Sequence, residues 1–400
     1  MLIKRLLKQV TAISLMAVLL CLSLVACSSK KEEVTNETNS ESEVLTEETT
    51  EAEPSEINLI MVGDILLHDR IEEYSLQENG EYDYSAIFEN EKESIEEADL
   101  SLVNQEVIIG GEALGISGYP AFNCSYNLAT NLVNTGFNVI LHATNHALDK
   151  GKTGLLNCID NWKKNYPDVA VLGINETRED RDIIYVYEKD GMKVAILNYT
   201  YGTNGISLPS DMPYAVNLLD EDQVVSDIKR AKEIADFVIV CPHWGTEYLL
   251  ETDSLQKKWT NIFLENDVDL VIGTHPHVIE PIEMLTNETT GHQMLVYYSL
   301  GNFVNWTSSS GTGIANRMLG GMAEVTLARD ESGQVVIKDY GVKAVVSHVT
   351  SKLNGITVYD LADYTEELAS ENEIVKQDAT FSKEYLVNLA NKVWGENNWE

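Results

Sequence analysis

Residues 268–277 read VDLVIGTHPH, a short run rich in valine and isoleucine that ends in glycine, threonine and two histidines. Similar apolar runs recur at 57–62, 100–103, 137–141, 169–172, 193–199, 237–241 and 294–299. Between the runs lie amphipathic stretches of helical length: 84–98, 126–134, 151–165, 220–235 and 253–266. Strands that alternate with helices predict an α/β fold with largely buried sheets. Residues 322–328 and 334–346 have no helix between them and predict an antiparallel hairpin.

Residues of metal-binding type follow five of these predicted strands. In open α/β sheets ligands bind at the carboxyl ends of strands, so we expect these side chains to lie close together. They are Asp64 after 57–62, Asn104 and Glu106 after 100–103, Asn145, His146 and Asp149 after 137–141, His243 after 237–241, and His275 and His277 after 268–272.

The pair His275 and His277, separated by Pro276, is the clearest indication of a metal site. The residue before a proline is pushed toward extended backbone, and in an extended chain residues i and i+2 point to the same side. Both imidazoles are therefore predicted to face one ion, and Asn104 and Glu106 have the same spacing. Imidazoles combined with carboxylates and an amide oxygen suit Zn²⁺, Mn²⁺ or Fe better than Ca²⁺ or Mg²⁺ alone.

Some of these residues also have an ordinary structural interpretation. Asp64 is suited to cap a following helix, Asn145 to occupy a turn, and a lone His243 to be a buried structural histidine. The other four histidines lack a comparable context and are predicted to be structural: His68, His142, His292 and His348.

The composition is strongly acidic. The 400 residues contain 64 Asp and Glu against 28 Lys and Arg, a formal net charge of −36. A nucleic-acid binder with a basic surface is thereby excluded, because the protein would repel a polyanion. Five cysteines are too few for a disulfide scaffold, and Cys124, Cys158 and Cys241 are predicted to be buried thiols.

Residues 1–27 are predicted to be a secretion signal. The basic residues Lys4, Arg5 and Lys8 precede an apolar stretch at 12–25, and the segment ends in Leu24-Val25-Ala26-Cys27. This ending resembles the lipobox of bacterial lipoproteins. The resemblance implies that Cys27 carries lipid and anchors the protein in the bilayer, at the extracellular face of the bacterial cell membrane. An uncleaved membrane anchor is the alternative.

The rest of the chain is predicted to contain three parts. Residues 28–56 are rich in Glu, Ser and Thr without an aromatic residue, which predicts an acidic disordered tether. Residues 57–350 are predicted to form the main α/β domain. Residues 351–400 are predicted to be a C-terminal helical appendage.

Six motifs occur in order between residues 57 and 305. They are Gly63-Asp64, Asn104-x-Glu106, Asn145-His146-x-x-Asp149, His243-Trp244-Gly245-x-Glu247-Tyr248, Gly273-x-His275-Pro276-His277 and Tyr298-Ser299-Leu300-Gly301-Asn302-Phe303. This series resembles the bacterial CapA family of poly-γ-glutamate capsule-biosynthesis proteins, which is related in fold to the calcineurin-like metallophosphoesterases. The resemblance implies a metallophosphoesterase-like layered sandwich of two β-sheets flanked by helices.

The resemblance also implies roles for individual residues. His146 would be the catalytic acid or the stabiliser of the transition state. Asn104, Asp149 and Glu247 would orient the ligands, although Asp149 and Glu247 are equally consistent with surface or cap positions. The ligands of one or two divalent ions (Zn, Mn or Fe) would be Asp64, Glu106, Asn145, His243, His275 and His277.

Two departures from the phosphoesterase pattern leave the number of ions open. Asp64 is followed by Ile65 and Leu66, where that pattern has Asp-x-His. The element Asn104-x-Glu106 stands where the pattern has a bridging aspartate. A single metal and a differently built pair are both consistent with these changes.

The function implied is that of a cell-surface lipoprotein in the biosynthesis, export or anchoring of an anionic capsule polymer, poly-γ-glutamate or a related one. Its catalytic form would be a metal-dependent hydrolase or transferase, and its partners would be a membrane-bound polymer synthase and the envelope polymer. Two alternatives remain: a general extracellular metallophosphoesterase, and a non-catalytic partner of the synthase. The sequence from 57 to 350 has no concentrated basic patch, which favours recognition of chain ends or a lipid-linked intermediate over broad polymer binding.

Overall fold

The computed structural model describes residues 55–396 and 398–399. The strands are β1 (Glu56–Leu66), β2 (Leu100–Gln105), β3 (Val139–Leu141), β4 (Ala170–Leu172), β5 (Tyr185–Lys189), β6 (Met192–Thr200), β7 (Phe237–His243), β8 (Leu270–Ile272), β9 (Ile282–Thr286), β10 (Gln293–Tyr297), β11 (Asn302–Asn305), β12 (Leu319–Arg329), β13 (Val335–Val349) and β14 (Ile356–Asp360). The α-helices are α1 (Asp69–Ser75), α2 (Ser85–Phe88), α3 (Lys92–Glu97), α4 (Asn127–Thr135), α5 (Gly151–Asn165), α6 (Arg178–Asp182), α7 (Glu221–Ile234), α8 (Ser254–Glu265), α9 (Glu366–Glu371) and α10 (Lys383–Trp394). Short 3₁₀ helices span Glu112–Leu114, Ala315–Met318 and Glu373–Lys376.

The strands form two sheets. The first has eight strands in the order β14-β13-β12-β1-β2-β3-β4, with β11 also paired to β1. The second has six, in the order β5-β6-β7-β8-β10-β9. Strands β1 to β4 run parallel, as do β6, β7, β8 and β10. The predicted α/β class with two sheets flanked by helices is confirmed, and the predicted hairpin is the antiparallel pair β12 and β13.

Burial on both faces explains the continuous apolar runs in the sequence. Along β7, Phe237, Ile239 and Cys241 belong to the core that the two sheets share, while Val238 and Val240 pack in a second core with α7 and α8. Successive residues of a strand point to opposite faces, so a strand covered on both sides is apolar at every position. The sheets meet where Cys241 Sγ lies 3.9 Å from Met61 Sδ.

The three cysteines outside the first 54 residues are buried free thiols, as predicted. They are Cys124, Cys158 and Cys241. Burial raises the pKa of the Cys158 thiol to about 12, so this group remains protonated near neutral pH.

The C-terminal segment differs from the expected appendage. Residues 356–360 form strand β14, which pairs with β13 and completes the first sheet. Trp394, at the end of α10, packs over Gly321 and donates a hydrogen bond from its indole nitrogen to the Glu280 carbonyl, at 3.0 Å. The sheet and the core therefore continue across the boundary predicted at residue 350.

The predictions for the N-terminal region lie outside the described residues. They concern the signal at 1–27, the lipidation of Cys27, and all but the last two residues of the tether at 28–56. Within the part of the chain that the structure describes, none of the helices has the length and apolar character needed to cross a membrane.

Candidate metal centre

The predicted site residues come together where the two sheets approach each other at the carboxyl ends of their parallel strands. Asp64 lies near the end of β1, Glu106 directly follows β2, and His243 is the last residue of β7. His275 and His277 lie in the loop after β8, which a bridge between His243 and Thr274 joins to the end of β7. All five side chains are buried.

Glu106 is at the centre of the cluster. Its Oε1 atom lies 3.6 Å from His277 Nε2, 3.7 Å from His243 Nε2 and 3.9 Å from His146 Nε2. Among the described residues neither carboxylate oxygen of Glu106 has a hydrogen-bond partner. Burial raises the pKa of Glu106 well above its usual range, an effect that His277 opposes and Asp64 reinforces.

Two triplets of side chains share Glu106. One consists of Glu106, His243 and His275, and the other of Asp64, Glu106 and His277. Within each triplet the ligand atoms lie within 4.8 Å of one another. Glu106 belongs to both triplets, so its carboxylate would contact two neighbouring cations if each triplet held one.

The donor atoms fit a cation. Buried polar atoms almost always have partners, and a buried carboxylate without one is costly. The atoms left without a partner here are Glu106 Oε1 and Oε2, Asn104 Oδ1 and His275 Nδ1. They are oxygens and an imidazole nitrogen, the atoms that coordinate divalent transition metals.

The protonation of His243 and His275 is consistent with this role. Burial lowers the pKa of His243 and of His275 well below the usual range, and neighbouring imidazoles lower it further. Both rings are therefore neutral, the form that binds metal. For His277 burial also lowers the pKa, but the carboxylates of Glu106 and Asp64 outweigh this effect and raise it to about 9.

Hydrogen bonds hold Asp64 and His277 against their neighbours. Asp64 Oδ1 accepts from Asn104 Nδ2 at 2.8 Å, and Asp64 Oδ2 lies 3.1 Å from His277 Nδ1. Asn302 Oδ1 lies 3.1 Å from the same His277 nitrogen, and Asn302 Nδ2 donates to the His277 carbonyl. Asn104 Nδ2 is also 3.3 Å from His243 Nδ1.

Asn145 and His146 extend the cluster from the loop after β3. Asn145 Oδ1 lies 2.9 Å from His243 Nε2, so Asn145 reaches the centre. His146 Nδ1 lies 2.7 Å from Asp149 Oδ2, which also accepts from the Phe122 backbone amide. This contact assigns the Nδ1 proton to the Asp149 side and turns Nε2 toward Glu106.

Glu247 is positioned differently from the other acidic residues. It lies on an exposed loop, and among the described residues no hydrogen bond joins it to an imidazole of the cluster. Burial and then the charge of neighbouring Glu247 raise the pKa of Tyr248 to about 12. Its charge also contributes to the raised pKa of His277.

The backbone between His275 and His277 is not extended, contrary to the prediction. Both residues have positive φ, 101° and 59°. Non-glycine residues rarely adopt this region, and such conformations concentrate at functional sites. The two rings nevertheless converge, with centroids 5.6 Å apart, because the loop bends around Pro276 and directs both toward Glu106.

Sequence reasoning missed several residues that contact the cluster. Thr274 Oγ1 lies 3.0 Å from His243 Nδ1, and the Tyr201 ring centroid lies 4.6 Å from that of His275. Asn302 begins β11, which runs parallel to β1 with Asn302 opposite Asp64. The expectation that polar residues at strand ends are functional would have identified Asn302, since it follows the run at 294–299.

The four histidines predicted to be structural divide into two groups. His142, His292 and His348 make their hydrogen bonds outside the cluster, with Trp162, the Val268 carbonyl and Tyr364 respectively. His68 lies closer. Its ring contacts Phe122, which in turn packs on His146, and burial together with nearby His277 lowers the pKa of His68 to about 4.

Comparisons with known proteins show related sequences and folds. The chain is 31% identical over 180 residues to the PGA biosynthesis protein CapA of Bacillus subtilis strain 168, covering 44% of this chain and 45% of that protein. It is 29% identical over 180 residues to the capsule biosynthesis protein CapA of Bacillus anthracis, covering 43% and 42%. The match therefore spans less than half the length of each of these curated relatives.

Solved structures with partial similarity include two nucleotidases. One is the NAD nucleotidase of Haemophilus influenzae, with a TM-score of 0.47 and 12% identity over 86% of this chain and 64% of that one. The other is a 5′-nucleotidase precursor of Thermus thermophilus, with a TM-score of 0.41 and 16% identity over 85% and 59%.

A family model covers the segment that carries the cluster. The model described as "Bacterial capsule synthesis protein PGA_cap" matches residues 58–307, more than half of the chain. This segment contains every residue of the two triplets, together with Asn145, His146 and Asp149. The chain is thus a member of the bacterial capsule synthesis protein family PGA_cap.

Proposed function

We propose that this protein is a metal-dependent hydrolase or transferase that acts on an anionic capsule polymer, poly-γ-glutamate or a related one, during its biosynthesis, export or anchoring. The observation that carries the proposal is Glu106, a fully buried carboxylate that has no hydrogen-bond partner among the described residues and is shared by two histidine-containing triplets. Family membership supports the capsule context. The bond attacked would be an amide or a phosphoester.

The residues that would hold the metal follow from the two triplets. His243 and His275 would bind one ion, Asp64 and His277 a second, and Glu106 both. This set is rich in imidazole and suits Zn²⁺, Mn²⁺ or Fe. When bound, such an ion supplies Lewis acidity toward an oxygen of the reacting group.

The protein's own groups perform the remaining tasks. With both ring nitrogens protonated, His146 would give its Nε2 proton to the leaving group, and Asp149 would accept the Nδ1–H hydrogen bond that turns Nε2 toward the cluster. Asn104 fixes Asp64, and Thr274 fixes His243. These contacts keep the donor atoms in place before the substrate arrives, which lowers the cost of reaching the transition state.

The cellular setting is also part of the proposal. Lipid attached to Cys27 would hold the protein at the extracellular face of the cell membrane, next to a membrane-bound polymer synthase and the polymer that it makes. The Leu24-Val25-Ala26-Cys27 sequence and the family membership support this setting.

Metal analysis of the full-length protein tests the proposal. We expect bound Zn, Mn or Fe in the wild type, and at least one equivalent fewer in His275→Ala and in His277→Ala. Glu106→Gln should lose the most, because it weakens both triplets. The matched control is Glu280→Gln, which changes another buried carboxyl that hydrogen-bonds to Gln256 and belongs to neither triplet.

Activity measurements on the same samples distinguish the proposed capsule-polymer hydrolase from a general phosphoesterase and from a non-catalytic partner of the synthase. Release of glutamate or shorter chains from a γ-linked glutamate oligomer would support the proposed hydrolase. Turnover of an aryl phosphate alone would favour a general phosphoesterase. A wild-type protein that binds no metal after incubation with Zn²⁺ and Mn²⁺ would eliminate the catalytic proposal and leave a non-catalytic partner of the synthase.

A further inference from the structure

Arg317 lies at the edge of the metal centre, in the 3₁₀ helix Ala315–Met318. Its guanidinium carbon is 3.5 Å from the centroid of the Tyr248 ring, and that ring is 6.0 Å from the ring of His277. Tyr248 itself has a positive φ of 66° and donates its backbone amide to the Pro276 carbonyl at 2.7 Å. The loop of His275 and His277 therefore also positions the aromatic surface on which Arg317 rests.

A second contact ties Arg317 to the same ligand. Asn302 Nδ2 donates to the Arg317 carbonyl at 3.0 Å, while Asn302 Oδ1 lies 3.1 Å from His277 Nδ1. One side chain thus fixes both the backbone of Arg317 and the imidazole of His277. Asn302 thus fixes the backbone of Arg317 beside the centre, and the Tyr248 ring contacts its guanidinium.

The guanidinium has no anionic partner among the described residues. Within the described residues no carboxylate oxygen lies within 4.0 Å of a guanidinium nitrogen of Arg317, and its Nε is buried without a hydrogen bond. Arg181 and Arg329 pair with aspartates, whereas Arg70 and Arg178 lie over aromatic rings, as Arg317 does, and have no carboxylate within 4.0 Å among the described residues. Arg317 lies beside a candidate cation site without a carboxylate partner among the described residues, although the protein carries a net charge of −36. A cation there would be repelled by bound metal unless an anion lay between them.

We propose that Arg317 is a substrate-recognition residue whose guanidinium binds an anionic group of the substrate, a carboxylate or a phosphate, next to the metal centre. The inference rests on the proposed function, which supplies an anionic substrate. Stacking on Tyr248 orients the planar guanidinium, and its paired N–H groups match the two oxygens of such a group. A single cation at the centre, without a broad basic surface, would recognise one anionic group near the reacting bond and not the polymer at large.

Calorimetry on the full-length protein tests this role with two probes, a γ-linked glutamate oligomer and inorganic phosphate. The variants are Arg317→Met, which removes the charge, and Arg317→Lys, which keeps it without the planar guanidinium. The matched control is Arg178→Met, because Arg178 also stacks on a tyrosine, Tyr214, at 5.5 Å but belongs to helix α6. Metal content and circular dichroism are recorded for every sample.

We expect Arg317→Met to bind the oligomer about 10- to 100-fold more weakly than the wild type, with unchanged metal content. Arg317→Lys should recover part of the affinity, and Arg178→Met should match the wild type. If only phosphate binding depends on Arg317, the anionic group recognised is a phosphate, and the role of Arg317 stands.

Three results would overturn the inference: equal binding of both probes by Arg317→Met and the wild type, no binding of either probe by the wild type, or loss of metal from Arg317→Met. A different result would contradict the proposed function. A wild type without metal that still binds the oligomer through Arg317 would contradict the catalytic proposal and not the recognition role.

Discussion

The contacts of His146 indicate a role that differs from that of the other histidines in the cluster. Its Nε2 faces Glu106 at 3.9 Å, but its Nδ1 is held by Asp149, and it belongs to neither metal-binding triplet. Under the proposed function it would exchange a proton, while His275 and His277 would provide ligand atoms. The sequence motif Asn145-His146-x-x-Asp149 contains both partners of this pair at a spacing of three residues.

The first prediction follows from this division. His146→Ala should retain the metal content of the wild type, while turnover falls by roughly 10²–10⁴-fold, the usual loss for a general acid–base group. Plasma spectrometry measures the metal, and steady-state rates on the substrate that the wild type converts measure turnover. His292→Ala, a half-buried histidine outside the cluster, serves as the control. Metal loss as large as in His275→Ala would instead make His146 a ligand.

At the scale of elements, the close approach of β8 and β10 requires a glycine. A Cβ atom on Gly273 would come within 2.1 Å of the Tyr298 carbonyl oxygen and 2.4 Å of the Trp244 indole nitrogen. Gly273 directly follows β8 and precedes the loop that carries His275 and His277. Its missing side chain thus allows the loop to lie where the histidines face Glu106.

Gly273→Ala should therefore lower the free energy of unfolding by about 1–3 kcal/mol, as expected for overpacking, and should reduce bound metal as well. Urea denaturation measures the first effect and plasma spectrometry the second. Gly202→Ala is the control, because a Cβ atom at that position meets nothing within 4 Å. Equal stability and metal content in the two variants would contradict the role assigned to Gly273 at this close approach of β8 and β10.

Helix α1 carries a buried carboxyl whose protonation is linked to stability. Tyr84 donates from its hydroxyl to Glu72 Oε2 at 2.6 Å. Burial raises the pKa of Glu72 from 4.5 to about 8, although the hydrogen bond from Tyr84 opposes the shift. Between these two values the carboxyl is protonated in the folded chain and ionised in the unfolded chain.

Rising pH in this range favours the unfolded state. The stabilising contribution of Glu72 is complete below pH 4.5 and is lost as the pH rises to about 8. The free energy of unfolding should fall with a contribution of up to about 1.4 kcal/mol per pH unit from this residue. Glu72→Gln should remove that contribution, as judged by urea denaturation at several pH values. An identical pH dependence in the variant and the wild type would show that Glu72 is ionised in the folded protein.

At the scale of the whole molecule, the N-terminal segment predicts where in the cell the protein is located. We predict that Cys27→Ala abolishes labelling by radioactive fatty acid and releases the protein from the membrane fraction, because Cys27 ends the Leu24-Val25-Ala26-Cys27 sequence. Cys124→Ala changes a buried thiol of the domain and is the control. Unchanged retention of Cys27→Ala on the membrane would indicate an uncleaved anchor.

The sequence alone determined the class of fold and the membership of the candidate site. Apolar runs, helical periodicity and polar residues at strand ends are local properties, because each depends on neighbours within a few positions. They are sufficient to identify Asp64, Glu106, His243, His275 and His277 as candidates. The ordered motifs then indicated the family, which the match over residues 58–307 shows.

The tertiary structure alone decided how these residues meet. Asp64 and His277 are 213 positions apart. They reach Glu106 only because β1 pairs with β2 in one sheet, β7 pairs with β8 in the other, and the two sheets pack together. The same long-range packing places Arg317 on Tyr248, holds His275 and His277 at positive φ, and adds β14 to the first sheet. Contacts of this kind depend on the whole core, and no local pattern encodes them.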